Sequence, residues 1–138
     1  MRNLPAYTPR MANPLMYEGP IPAAVHGVVE YIAGVVFIAA PLLFEFEARA
    51  AVMLSIAIGI VVLLIAATTT GATGLITGLS LSVHVVLDYV LAVGLIVAPF
   101  LFRFTSERNE TVFFLVVGVV HLLLTVATRF VSTSKGRL

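Results

Sequence analysis

The chain has 138 residues, of which 60% are hydrophobic and 11% charged, with a formal net charge of +1. Its mean hydropathy is +1.10. A soluble domain of this length is about half apolar and about a quarter charged, and it cannot hide such an excess in one small core. The composition therefore excludes an ordinary soluble enzyme, and without a basic stripe it excludes nucleic acid as a partner. There is no cysteine, hence no disulfide, thiolate ligand or thiol nucleophile.

Residues 1–20 form a region apart. Pro5, Pro9, Pro14 and Pro20 oppose a continuous helix and favour an extended N-terminal arm. No apolar stretch follows Arg2, so the arm does not read as a signal peptide. Tyr7, Met11, Met16 and Tyr17 suit a segment that lies in the headgroup zone or against other membrane subunits.

Four apolar stretches then have the roughly 20 residues that a bilayer core about 30 Å thick demands. They run from about Ile21 to Phe44, Ala50 to Thr68, Leu81 to Phe102 and Thr111 to Thr128. Thr68 to Gly74, rich in small and turn-prone residues, breaks the second from the third with a tight connection. None of the runs alternates as a lipid-facing barrel strand does. The expected fold is an all-α membrane protein, a bundle of four transmembrane helices.

The spans repeat in pairs. HGVVEYIAGVVFIAAPLLFEF, from His26, aligns without gaps on HVVLDYVLAVGLIVAPFLFRF, from His84, with ten of 21 positions identical. With one inserted residue, Gly59 to Leu64 then matches Gly118 to Leu123. The chain divides into a first repeat over 21–74, a second over 75–131, and a tail over 132–138. Two spans per unit give both copies the same orientation about an axis along the membrane normal.

Ala40-Pro41-Leu42-Leu43-Phe44 and Ala98-Pro99-Phe100-Leu101-Phe102 each close a helix that precedes a short polar loop and a glycine-bearing helix. In this the chain resembles the SPW-repeat family of bacterial membrane proteins, over about Val28 to Thr70 and Val86 to Arg129. Alanine stands where that family's namesake triplet has serine, and leucine or phenylalanine where it has tryptophan. The resemblance implies the two-helix repeat architecture and a bacterial cytoplasmic (inner) membrane, and implies no reaction. Arg2, Arg10, Arg129, Lys135 and Arg137 lie on one side, against Arg49, Arg103 and Arg108 on the other. The excess of basic residues places both termini in the cytoplasm.

Inside the spans sit His26, Glu30, His84, Asp88 and His121. A mid-bilayer carboxylate costs about 2.5–3.5 kcal/mol on insertion scales, so these groups need partners or water. His26 and Glu30, four apart, share a helix face, as do His84 and Asp88. Tyr31 and Tyr89 follow each acid, rotated by about 100°. Two-fold related repeats would bring both pairs, with the two phenols, into one polar layer.

Four readings of that layer stand side by side. In the plainest, each histidine neutralises an acid and the layer fixes helix register. In the second, His26 and His84 are axial ligands of a haem b, with Gly27, Ala33 and Gly34 leaving room for the macrocycle. In the third, two histidines and two carboxylates bind metal; the di-iron bundles use further glutamates that this chain lacks, so no metal ligand is assigned from sequence. In the fourth, acid, imidazole and phenol form a proton- or quinone-linked relay. His121 has Val62 at its place in the first repeat, and a hydrogen bond to a carbonyl or to Thr125 is expected of it. No phosphate loop, nucleophile elbow or zincin motif is present. The expected role is a non-enzymatic scaffold or accessory subunit of a larger membrane complex. The alternative is a haem- or quinone-associated redox protein.

Overall fold

A computed structural model of the chain describes residues 14–16 and 18–130. Most of the N-terminal arm and the whole C-terminal tail, including Tyr7, Met11 and Tyr17, lie outside the described residues. Four helices follow one another: α1 (Ala23–Leu43), α2 (Arg49–Thr68), α3 (Leu81–Leu101) and α4 (Arg108–Ala127). All four are long and apolar enough to cross a membrane. They pack as an α1–α2 pair and an α3–α4 pair, as the repeat requires. Their outer faces present Val28, Ile32, Val35, Val90, Val93, Val116 and Val120 for lipid to cover. The chain is a multi-pass membrane protein.

The boundaries differ from the hydropathy reading mainly at α4, which begins three residues earlier. Asn109 and Glu110 are polar but helical, and Glu110 is buried. Its Oε1 accepts the backbone N–H of Glu47 at 3.0 Å and of Ala48 at 2.8 Å, satisfying donors at the start of α2. One carboxylate thus ties the second helix pair to the first.

Each pair turns in the same way. Phe46 N–H donates to the Pro41 carbonyl and Phe104 N–H to the Pro99 carbonyl, both at 3.0 Å. The residues between, Glu45 (φ 52°) and Arg103 (φ 57°), occupy the left-handed region. This is the helix stop usually built on glycine, here tolerated at about 1–2 kcal/mol per side chain. Pro41 also removes the N–H that would bond the Phe37 carbonyl. Ser55 Oγ donates to that carbonyl at 2.6 Å, so α2 supplies what the proline withholds. Ser55 belongs to the Ala51–Ser55–Gly59 ridge, which lets α2 lie close against α1. A Cβ on Gly59 would sit 2.6 Å from the Gly34 carbonyl oxygen.

The repeats also close on each other. Ile21–Pro22 pairs in parallel with Thr128–Arg129, Ile21 opposite Thr128. Thr69 bridges Leu79 in the same parallel sense. The end of repeat 2 therefore meets the start of repeat 1 as the end of repeat 1 meets the start of repeat 2. Both junctions lie at one end of the bundle. At the other end Phe37, Leu95, Phe104, Phe113 and Phe114 form the apolar core, with edge-to-face rings such as Phe37–Phe113, 5.3 Å between centroids.

Candidate functional site

His26 is the fourth residue of α1 and His84 the fourth of α3. The i, i+4 spacing puts Glu30 and Asp88 one turn further in on the same faces. Because the pairs start at equal depth and their helices face across the bundle, the four side chains meet. His26 Nε2 lies 3.6 Å from Glu30 Oε1 and 3.3 Å from Asp88 Oδ2. His84 Nε2 lies 3.3 Å from each of the same two oxygens. One ligand atom from each residue falls within 4.8 Å of all the others. All four residues are at most 3% exposed.

Each histidine is held from behind by a threonine. His26 Nδ1 is 2.9 Å from Thr128 Oγ1, and His84 Nδ1 is 2.8 Å from Thr69 Oγ1. Both hydroxyls donate their own proton to the carbonyl four residues back, at 2.6 Å, to Leu124 and Ile65 respectively. A hydroxyl has one proton. Each threonine oxygen can then only accept, so both Nδ1 atoms carry hydrogen and donate. The Nε2 atoms are left facing the carboxylates.

Those facing contacts are not hydrogen bonds of ordinary quality. A charge-assisted N–H···O bond is about 2.7–2.9 Å long, shorter than any of the four. Although 3.3 Å apart, His26 Nε2 and Asp88 Oδ2 have no hydrogen-bond partner among the described residues. The four potential ligand atoms instead gather around a shared centre, all within 4.8 Å of one another.

The remaining residues of the expected layer lie around this centre. His121 Nε2 is 3.8 Å from Asp88 Oδ1 and has no hydrogen-bond partner. The bond expected with Thr125 runs the other way through the backbone: Thr125 Oγ1 donates to the His121 carbonyl. Tyr31 turns out of the layer, and its hydroxyl donates to the Thr73 carbonyl at 3.0 Å. Tyr89 holds the equivalent place in α3 and is half-buried. Residues 69–80 link α2 to α3; the stretch expected as a tight connection, Thr68 to Gly74, is the first part of that link and covers the site. Gly27 lets Thr73 seat against α1, since a Cβ there would collide with the threonine side chain.

The cavity lined by His26, Glu30, His84, Thr69, Thr73 and Phe130 has about 70 Å³. Pockets for cofactor-sized ligands run about 300–1,000 Å³. This one takes an ion or a water or two. A haem b on His26 and His84 would have to displace Glu30 and Asp88, which hold the space between the rings.

Comparison with curated proteins and with solved structures finds no match for the chain. The family model described as the SPW repeat domain matches residues 24–129, both helix pairs and every residue of the polar cluster. The chain belongs to the SPW repeat family.

Proposed function

We propose that the protein is a non-enzymatic scaffold or accessory subunit of a larger membrane assembly. The observation that carries this reading is the closure of its only cluster of chemically versatile side chains among the described residues. Glu30, Asp88 and the two histidines are buried against one another in a space far below that of an organic substrate. In this role the layer joins the two helix pairs, and the apolar outer faces are available to lipid and to neighbouring subunits. The first helix begins and the last helix ends on the same side, where Ile21 pairs with Thr128. The excess of basic residues in the flanking segments supports a reading in which this end of the bundle, with the polar layer, faces the cytoplasm.

A relay through acid, imidazole and phenol draws less support, because the Tyr31 hydroxyl is committed to the Thr73 carbonyl. Native mass measurement in mild detergent tests the reading. The expected result is a species well above 14.7 kDa that contains a second membrane protein. A lone monomer without any partner contradicts it.

A further inference from the structure

We infer that His26, Glu30, His84 and Asp88 form a binding site for one divalent first-row transition-metal ion, buried in the membrane bundle. The inference concerns the same layer but stands apart from the subunit reading: a monomer that binds the ion would overturn that reading and leave this one intact.

The ligand set has the required chemistry. Two imidazole nitrogens and two carboxylate oxygens are zinc-type donors, and none is sulfur. Two carboxylates, two neutral imidazoles and one dication sum to zero, which is what a low-dielectric site demands. The geometry agrees. A tetrahedral ion with ligands at about 2.0–2.1 Å has ligand–ligand edges of about 3.3–3.4 Å. The four histidine–carboxylate edges are 3.3, 3.3, 3.3 and 3.6 Å. The whole set spans up to 4.8 Å, so closing on an ion draws in the remaining edges.

Three independent features point to an ion rather than a purely internal salt-bridge ring. Each Nδ1 donates to a threonine that cannot donate back, so that in the neutral ring the Nε2 lone pair faces the centre. Metal-bound histidines are characteristically held by such an outer hydrogen bond. His26 Nε2 and Asp88 Oδ2, fully buried, are unpartnered and face that centre. The contacts of His26 Nε2 with Glu30 and Asp88, at 3.6 and 3.3 Å, are longer than charge-assisted hydrogen bonds. The adjoining cavity of about 70 Å³, lined by His26, Glu30 and His84 under residues 69–73, has room for an ion. His121, whose Nε2 lies 3.8 Å from the far oxygen of Asp88 without a hydrogen-bond partner, stands in reserve as a further donor.

The test uses the full chain, without a polyhistidine tag, in mild detergent. The protein is stripped with a chelator and titrated with Zn²⁺ against a chromophoric competitor, while circular dichroism and thermal unfolding report the fold. The expected result is one ion per chain, a raised Tm on loading, and a loss of at least about tenfold in affinity in both D88N and E30Q. No binding to wild-type protein that is folded by circular dichroism would overturn the inference and leave the layer a ring of internal ion pairs. Undiminished binding by folded D88N and E30Q would overturn it as well. If either variant fails to fold, the wild-type stoichiometry and Tm shift decide alone.

Discussion

His26 Nδ1 donates to Thr128 Oγ1 at 2.9 Å across 102 residues of sequence. Thr128 spends its own proton on the Leu124 carbonyl, so this single bond puts a proton on Nδ1 and, in the neutral ring, fixes its tautomer. His84 and Thr69 repeat it at 2.8 Å.

T128V and T69V remove the acceptors and keep the side-chain shape. Outer-shell losses of this kind typically weaken metal affinity 10- to 100-fold. Each variant should show a drop in that range with unchanged helix content, read by the same competition assay. Equal affinity in both variants would mean that the threonines do not set the tautomer.

The threonines show where the sequence stops being legible. The i, i+4 pairs and the repeat were enough to bring His26, Glu30, His84 and Asp88 into one layer. Thr69 and Thr128 occupy equivalent repeat positions too, but a threonine at a helix end carries no chemical signal. Its role appears only when the start of one repeat docks on the end of the other. Tyr31 leaves the expected layer for the opposite reason: a rotation of about 100° from Glu30 carries it off the shared face, toward the loop that it clasps. Glu110 falls just outside the fourth apolar stretch, which starts at Thr111, although tertiary packing makes it the anchor for the start of α2.

H84L should leave Glu30 and Asp88 short of a partner. Breaking a buried pair costs about 3–5 kcal/mol, while replacing both members by apolar residues is often near neutral. H84L with D88L should therefore recover most of the loss, since His26 and Glu30 still face each other at 3.6 Å. Chemical unfolding of metal-free protein in detergent measures both. A double variant as unstable as the single would contradict the pairing.

Ser55 and Pro41 make a second cycle. S55A orphans the Phe37 carbonyl, which costs about 1–3 kcal/mol. In P41A the helix N–H returns to that carbonyl, so adding S55A to P41A should cost much less. Equal costs in the two backgrounds would show that Ser55 acts by packing alone.

E110A should free the Glu47 and Ala48 amides. Hydrogen exchange should speed up at both, with a stability loss of about 1–3 kcal/mol. Protection that persists would place the cap elsewhere.

Metal binding should weaken as pH falls, because both imidazoles must be neutral and both carboxylates ionised to ligate. A titration of zinc affinity against pH checks the sign; affinity that rises on acidification would exclude these ligands.

X-ray absorption of the zinc-loaded protein tests the central claim most directly. The account predicts four nitrogen or oxygen neighbours at about 2.0–2.1 Å, with the outer scattering of two imidazole rings and no sulfur shell. That pattern should lose one imidazole in H26L. A six-coordinate, water-dominated shell without imidazole scattering, or a spectrum unchanged by H26L, would contradict it.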